Sequence, residues 1–251
     1  MKRMMFMKIA LAGAKVRNRD IEFNFHQLRR FMKQSKENGA QLVCFGEAFL
    51  QGFDAFSWRY ESDCEMAISV QGEIFQKIEK LTLEYGIDLL FGFLEREEDK
   101  LYSSCALIAE GKCRECYRRV SVGWKEYSIT DEHYCEGDCV QTFDYHGFKC
   151  AIALCGDLWD VTAPRFAMGQ DVLFWPLYVN YSCEEWENTE KQAYAEQAAA
   201  FGGDVLMINC VDDDDQMEMP ALGGCCHFKN GKTQAEWPMS SEGMLLVELS
   251  K

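Results

Sequence analysis

The stretch FKCAIALCGDLWD, residues 148–160, contains the pattern that decides the fold. It begins with a continuous apolar run, residues 150–154, which is typical of a strand buried on both faces, and it then breaks at Cys155 into a turn. Layered α/β proteins commonly hold catalytic groups at such strand ends, because the sheet fixes the backbone and the following turn aims N–H groups at a ligand. On this stretch alone, a buried structural thiol is the alternative for Cys155, since free cysteine is among the most buried residue types.

Strand-like and helix-like patterns alternate along the rest of the chain. Short apolar runs bounded by turn residues indicate buried strands, and apolar residues spaced three and four apart indicate helices. The predicted strands cover residues 7–12, 41–45, 87–94, 101–108, 112–120, 150–154, 171–175, 204–210, 223–228 and 244–249, and the predicted helices cover 20–38, 71–85, 164–168 and 184–201. The last two strands are expected to pair around Asn230-Gly231. This order predicts a single α/β domain over residues 1–251, with helices on the outer faces of mixed sheets.

The charge and composition exclude several classes of function. The 251 residues carry a formal net charge of −15, which repels phosphate backbones, and no basic stripe reverses this locally, so no nucleic-acid partner is expected. The start of the chain lacks the apolar segment of a signal peptide, and no stretch reaches the roughly 20 apolar residues of a membrane helix. Many of the 13 cysteines lie in predicted core strands, which favours a reducing compartment. We therefore expect a cytoplasmic protein without membrane association.

Two cysteine pairs have spacings that a metal site can use. Cys113 and Cys116 are separated by two residues, as in a zinc knuckle, but they fall in a predicted strand, where residues three apart point to opposite faces. Cys135 and Cys139 form the second pair. We expect neither a metal nor another cofactor.

A thiol needs a base before it can attack an amide, because little of a free cysteine is thiolate near neutral pH. Glu47 follows the predicted strand 41–45 just as Cys155 follows its own strand, and a desolvated carboxylate can take a thiol proton. Of the four histidines, only His133 falls in the polar loop 121–138 that we expect to cover a site. Glu47 and His133 are therefore alternative bases, and a surface glutamate is the plainer interpretation of Glu47 taken alone.

The order of these residues along the chain resembles that of the nitrilase superfamily of carbon–nitrogen hydrolases. Glu47 ends one strand, Tyr117-Arg118-Arg119 ends another, and Cys155-Gly156-Asp157-Leu158-Trp159 follows a third, so the resemblance covers essentially the whole chain. It implies a four-layer αββα sandwich of the amidase-type branch, and the pairing of two such sandwiches in a homodimer. It also implies a Glu-Lys-Cys triad, in which Glu47 is the general base and Cys155 the nucleophile.

The resemblance gives expected roles to further residues. Glu132 matches the family's second, structural glutamate, with Asp131 as an adjacent candidate. The backbone N–H of Gly156 is expected to help bind the oxyanion. Trp175 and Tyr178 fall at the strand end and loop where the family binds substrate.

One position departs from the family pattern. Arg119 stands where the family has the triad lysine; arginine keeps the charge and can hydrogen-bond an oxyanion, but its planar fork is bulkier. Lys125, six residues further along, is the second candidate for this cation. We favour Lys125 as the cation at the oxyanion and Arg119 as a charge partner, and the opposite assignment stays open.

The expected function is hydrolysis of a small linear amide through a thioester on Cys155. Nitrile hydrolysis is the less favoured activity within the same family. Two other classes stay open. The chain is a nitrilase-like pseudo-enzyme that binds an amide-like ligand or a partner protein if Arg119 has abolished turnover, or it is an unrelated thiol hydrolase if His133 is the base.

Overall fold

The computed structural model describes residues 5–160, 169–214 and 217–251. The strands are β1 (Phe6–Gly13), β2 (Lys15–Val16), β3 (Leu42–Cys44), β4 (Asp88–Glu97), β5 (Lys100–Ala109), β6 (Lys112–Arg118), β7 (Thr142–Tyr145), β8 (Phe148–Ile152), β9 (Val172–Leu177), β10 (Asp204–Asn209), β11 (Val211–Asp212), β12 (Gly223–Lys229), β13 (Lys232–Met239) and β14 (Gly243–Ser250). The helices are α1 (Ile21–Glu37), α2 (Tyr60–Met66), α3 (Glu73–Tyr85), α4 (Cys183–Glu185) and α5 (Lys191–Ala199), with a π-helical segment Trp186–Glu190 between the last two and single 3-10 turns at Phe53–Ala55 and Cys155–Leu158.

The strands form two six-stranded sheets and one small two-stranded sheet. The first large sheet has the order β14-β1-β3-β4-β5-β6, the second has the order β13-β12-β10-β9-β8-β7, and β2 pairs with β11. In each large sheet the central pairs are parallel and the pairs towards both edges are antiparallel. Parallel neighbours need a crossover connection, whereas antiparallel neighbours can be joined by a hairpin, so the mixed pairing follows from the alternation of helices and hairpins along the chain.

The apolar side chains separate the protein into layers. On β9, Phe174 packs into the core between the two sheets, whereas the next residue, Trp175, packs outward against Tyr194 of α5, because neighbouring strand residues point to opposite faces. On the outer face of the first sheet, α1 and α3 bury Phe31 and Phe75. Helices therefore cover both outer faces, and the predicted four-layer αββα sandwich is confirmed.

The end of the chain pairs differently from the prediction. Asn230-Gly231 connects β12 to β13, while β14 pairs with β1 at the edge of the other sheet. The predicted pairing of strands 223–228 and 244–249 is therefore wrong. The sequence pattern missed β13 because its residues are all partly or fully exposed and its first five, KTQAE, contain a single apolar side chain. The predicted helix over 164–168 lies outside the described residues.

The helices are short relative to the thickness of a membrane. The longest helix in the described part of the chain, α1, has 17 residues. No helix within the three described ranges is long and apolar enough to cross a bilayer. The single-domain organisation of residues 1–251 stays a prediction.

The turn that carries Glu47 depends on a glycine in the adjacent strand. Gly92 of β4 donates its N–H to the carbonyl of Gly46 at 3.1 Å and accepts from the N–H of Leu50 at 3.1 Å. A side-chain carbon at Gly92 would lie 2.5 Å from both the Gly46 oxygen and the Ala48 nitrogen. Only glycine therefore lets β4 hold this turn by its backbone.

Gly92→Ala is expected to destabilise the protein by about 1–3 kcal/mol, because the added methyl group meets backbone atoms that cannot rotate away. Gly13→Ala is the matched control, since a side-chain carbon at this β1 position meets nothing closer than 3.6 Å. Urea unfolding of both variants is the measurement. Equal midpoints for the two variants would contradict the role given to Gly92.

Candidate active site

Cys155 sits on a strained turn directly after β8. Its φ of 38° lies in the left-handed region that non-glycine residues seldom adopt, and such strain is often found at functional sites. The turn is held from behind, because Nε1 of the fully buried Trp175 donates to the Cys155 carbonyl at 2.9 Å. The sulfur is partly buried and contacts the Tyr178 carbonyl oxygen at 3.7 Å.

Asp157 ties this turn to the end of β6 in the opposite sheet. One carboxylate oxygen accepts from the backbone N–H groups of Ser121 and Val120, at 2.8 and 3.2 Å. The other accepts from the Tyr117 hydroxyl and from the Leu154 N–H, both at 2.7 Å. Because the bonds to Tyr117, Val120 and Ser121 cross from one sheet to the other, the residues that follow β6 are held against the cysteine turn.

Glu47 is a fully buried carboxylate with one oxygen free. Its Oε1 accepts from the Ser103 hydroxyl at 2.8 Å and from Nη1 of Arg119 at 3.1 Å. Its Oε2 has no hydrogen-bond partner among the described residues. Leaving a buried carboxylate oxygen without a partner costs free energy, so such an oxygen usually has a role. Because no hydrogen bond occupies it, Oε2 can take a proton or accept from a ligand N–H.

Arg119 lies between Glu47 and the residue that follows the cysteine. Its Nε donates to Ser121 Oγ at 2.9 Å and its Nη2 to the Val122 carbonyl at 3.2 Å. A side-chain carbon at Gly156 would lie 2.6 Å from Nη2, so the glycine allows the guanidinium to pack against the backbone of the cysteine turn. The structure therefore brings together Glu47, Arg119 and Gly156.

The charges of this cluster affect the thiol and the guanidinium differently. Burial raises the pKa of the Cys155 thiol to about 12, with a further increase from the negative charge of Glu47 and a partial decrease from Arg119. Burial lowers the pKa of Arg119, but Glu47, Cys155 and Asp157 together outweigh it and raise that pKa above its usual value. At neutral pH the thiol is thus protonated at rest and Arg119 is charged.

Lys125 and Glu132 are placed elsewhere. The Lys125 ammonium donates to the Tyr134 carbonyl and pairs with Glu136 at 3.1 Å. The side chain of Glu132 is exposed. The structure thus pairs Arg119 with Glu47, as the charge partner that the sequence analysis expected, and pairs Lys125 with Glu136. Which of the two cations binds the oxyanion stays a prediction.

The predicted substrate residues have two different placements. Trp175 is 0% exposed, so it supports the Cys155 backbone rather than lining open space. Tyr178 is half-buried; its ring stacks on Phe53 at 4.4 Å and its hydroxyl donates to Asp212 at 2.7 Å. Tyr178 therefore borders the sulfur through its backbone carbonyl.

His133 has contacts of its own away from the thiol. Its Nδ1 lies 2.8 Å from Asp131, and its ring stacks on Tyr60 at 3.7 Å. The described groups that act on Cys155 include Glu47, Arg119, Asp157 and the Tyr178 carbonyl, and the residue packs against aromatic side chains of the α5 layer. This arrangement favours Glu47 over His133 as the base.

Three contributors to the site were not predicted. Asp157, Ser103 and Gly92 act through hydrogen bonds or close approach to residues far away in the chain. The Gly-Asp pair after Cys155 was the only signal for Asp157, and it did not indicate which backbone groups the carboxylate binds.

A family model described as carbon-nitrogen hydrolase matches residues 8–251. The chain belongs to the carbon–nitrogen hydrolase family. The sequence-based identification as a carbon–nitrogen hydrolase of the nitrilase superfamily is thereby confirmed.

One curated relative of this chain is a much longer protein. A glutamine-dependent NAD(+) synthetase from Thermotoga maritima is 25% identical over 167 residues, which are 64% of this chain and 27% of the synthetase. The chain thus spans about a quarter of the length of this relative.

Two solved structures share the fold. The glutamine-dependent NAD+ synthetase of Acinetobacter baumannii matches with a TM-score of 0.77 and 21% identity, covering 97% of this chain and 45% of the synthetase. An amidase from Nesterenkonia sp. matches with a TM-score of 0.76 and 18% identity, covering 97% of this chain and 90% of the amidase. At these identities the likeness shows the fold alone.

Proposed function

We propose that the protein hydrolyses the carbon–nitrogen bond of a small linear amide by acyl transfer through Cys155. One observation carries the proposal: a buried carboxylate with a free oxygen, Glu47, is paired to Arg119, whose guanidinium packs on Gly156 beside the cysteine. This arrangement supplies a base, a cation and a nucleophile at one point, as acyl transfer requires.

In the first half of the reaction, Glu47 takes the thiol proton as the sulfur attacks the amide carbon and the C–S bond forms. The raised pKa of Cys155 explains why a base is needed at this step. The negative charge that develops on the carbonyl oxygen is stabilised by Arg119 and by the backbone N–H of Gly156. Glu47 then returns the proton to the amide nitrogen, the C–N bond breaks, and ammonia or an amine leaves.

In the second half, water hydrolyses the thioester. Glu47 takes a proton from the water as the water oxygen attacks the acyl carbon, and Arg119 stabilises the second oxyanion. The C–S bond breaks, the carboxylic acid leaves, and the proton held by Glu47 returns to the sulfur.

The relatives and similar structures include both amide-acting and nitrile-acting proteins by name, so the choice of an amide is our own proposal. A variant of the Nesterenkonia amidase carries the acetamide moiety of fluoroacetamide on its active-site cysteine. The synthetase relatives are glutamine-dependent by name, and glutamine is itself a small linear amide, so it belongs in the first substrate panel. A cytoplasmic location and a homodimer stay predictions.

Selective alkylation tests the choice of base. Wild type, Glu47→Gln and His133→Ala are treated with iodoacetamide, and the labelled residue is identified by intact mass and peptide mapping. We expect Cys155 to lose its selective labelling in Glu47→Gln, because the carboxylate that accepts the thiol proton is absent, and to keep it in His133→Ala. Loss of labelling only in His133→Ala would instead support the Cys-His hydrolase.

A further inference from the structure

Asn209 is a fully buried side chain whose hydrogen-bonding groups are all used. It ends β10 and is 0% exposed, and its Oδ1 accepts from the N–H groups of Val179 and Cys210 at 3.2 and 3.0 Å. Its Nδ2 donates to the carbonyls of Val179 and Gly223 at 2.8 and 3.0 Å. A carboxamide side chain offers two donors and an oxygen with two acceptor sites, so this one is completely satisfied.

The bonds to Val179 continue the pairing of two strands beyond their ends. β9 ends at Leu177, which pairs with Asn209 at the end of β10. The chain then leaves the sheet at Tyr178, and the Asn209 side chain binds both the N–H and the carbonyl of Val179. Because backbone groups without partners cost free energy, this side chain holds the loop after β9 in place.

The same contact sets the direction of the Tyr178 carbonyl. This carbonyl and the Val179 N–H belong to one peptide group, which is planar and trans, so the two point in opposite directions. With the N–H held on Asn209, the carbonyl oxygen points to the Cys155 sulfur, 3.7 Å away. The bond to the N–H also polarises the peptide group, which makes the carbonyl a better acceptor.

The Tyr178 carbonyl is an open acceptor beside the nucleophile. Among the described residues, no N–H group donates to it, and its polar contact is the Cys155 thiol. Both residues are partly exposed, so a substrate that reaches the sulfur also reaches this oxygen. The Glu47 N–H donates to the carbonyl of Leu177, one residue earlier, at 3.2 Å. The turn that carries the proposed base is therefore anchored next to the open carbonyl.

We propose that the Tyr178 carbonyl accepts an N–H of the substrate carboxamide, and that Asn209 is the positioning residue that holds this carbonyl at the thiol. This inference rests on the proposed function. A primary amide has two N–H groups, one for the free Oε2 of Glu47 and one for the carbonyl. The second bond strengthens as Glu47 protonates the nitrogen, because the donor then carries charge. The preferred substrates are therefore primary amides that release ammonia, whereas esters have no N–H and gain nothing from this carbonyl.

The first test compares propanamide with methyl propanoate, because only the amide carries N–H groups. Asn209→Ala removes the side chain that holds Val179, so we expect kcat/KM for propanamide to fall about tenfold and kcat/KM for methyl propanoate to change little. A merely structural defect would lower both rates together, so the ratio of the two is the readout that identifies positioning.

Asn24→Ala is the matched control. Asn24 is also 0% exposed, and its side chain likewise binds backbone groups, the N–H and carbonyl of Arg17 and the carbonyl of Leu50. These bonds do not involve the loop after β9. We therefore expect a loss of stability with the ratio of amide to ester hydrolysis unchanged.

A carbonyl signal provides a readout that needs no turnover. Tyr178-Val179 is the only Tyr-Val pair in the sequence, so tyrosine labelled with ¹³C at its carbonyl and valine labelled with ¹⁵N give one correlation signal for this peptide group. In the Cys155→Ala protein, we expect the carbonyl resonance to shift with propanamide and to stay in place with methyl propanoate. Adding Asn209→Ala to this protein is expected to abolish the shift.

Each part of the proposal has an outcome that overturns it. Equal losses of rate on propanamide and methyl propanoate in Asn209→Ala would make Asn209 a purely structural residue. A Tyr178 carbonyl signal that stays in place with propanamide, or that shifts equally with the ester, would rule out the acceptor. If Asn209→Ala does not fold, Asn209→Asp replaces it, because it keeps an oxygen for the Val179 N–H and loses the donor. The hydrolase proposal fails separately, if the wild-type protein releases no ammonia from any amide and forms no adduct on Cys155.

Discussion

Cys155→Ala is expected to abolish amide hydrolysis and to change the free energy of unfolding by less than about 2 kcal/mol. Alanine lacks the atom that would carry the acyl group, so no thioester can form. Little packing is lost, because the side chain is only partly buried and its sulfur makes a long contact of 3.7 Å to the Tyr178 carbonyl. Ammonia release and urea unfolding, measured on the same preparations, check the two parts.

Cys150→Ala is the matched control for this prediction. Cys150 lies on β8, five residues before Cys155, and is 0% exposed in the core between the sheets. The same chemical change there leaves a cavity, so we expect lower stability with kcat retained. Turnover by Cys155→Ala would rule out the thioester mechanism, whereas loss of turnover in both variants would point to a damaged fold.

The nucleophile and the base could be found from the sequence because each has a local signal. Cys155 and Glu47 both follow a short apolar run that ends in a turn, and a polar residue placed there is conspicuous. Local patterns cannot show that the two strands belong to different sheets whose ends face each other. The family resemblance supplied that step.

The placement of the two candidate cations could not be predicted from their spacing in the sequence. It depends on Asp157, whose carboxylate binds backbone N–H groups 36 and 37 residues away in sequence and thereby holds the Arg119 segment against the cysteine turn. The Lys125 ammonium instead lies within its own loop, where it donates to the Tyr134 carbonyl and pairs with Glu136. Contacts between the two sheets determine where each cationic side chain lies, and such contacts produce no periodic pattern in the sequence.

Arg119→Ala is expected to lower kcat/KM by at least about a hundred- to a thousandfold, which corresponds to the loss of one donor aimed at the oxyanion, about 2.7–4 kcal/mol. It also leaves the Glu47 carboxylate buried without its charge partner, and breaking a buried pair in this way costs about 3–5 kcal/mol of stability. Arg119→Lys keeps the charge and places the family's usual residue at this position, so we expect it to preserve or raise activity. The measurements are steady-state kinetics on the best amide of the panel and urea unfolding.

Lys125→Ala is the decisive comparison, because it removes the other candidate cation. Its mostly buried ammonium pairs with Glu136 of the same loop and donates to the Tyr134 carbonyl, so the variant should lose about 1–3 kcal/mol of stability and keep near-normal rates. A decrease of about a hundredfold in kcat/KM for Lys125→Ala, together with an equally large decrease for Arg119→Lys, would show that Lys125 binds the oxyanion. In that case Arg119 would serve as the bidentate-capable partner that holds Glu47, a role that lysine cannot reproduce.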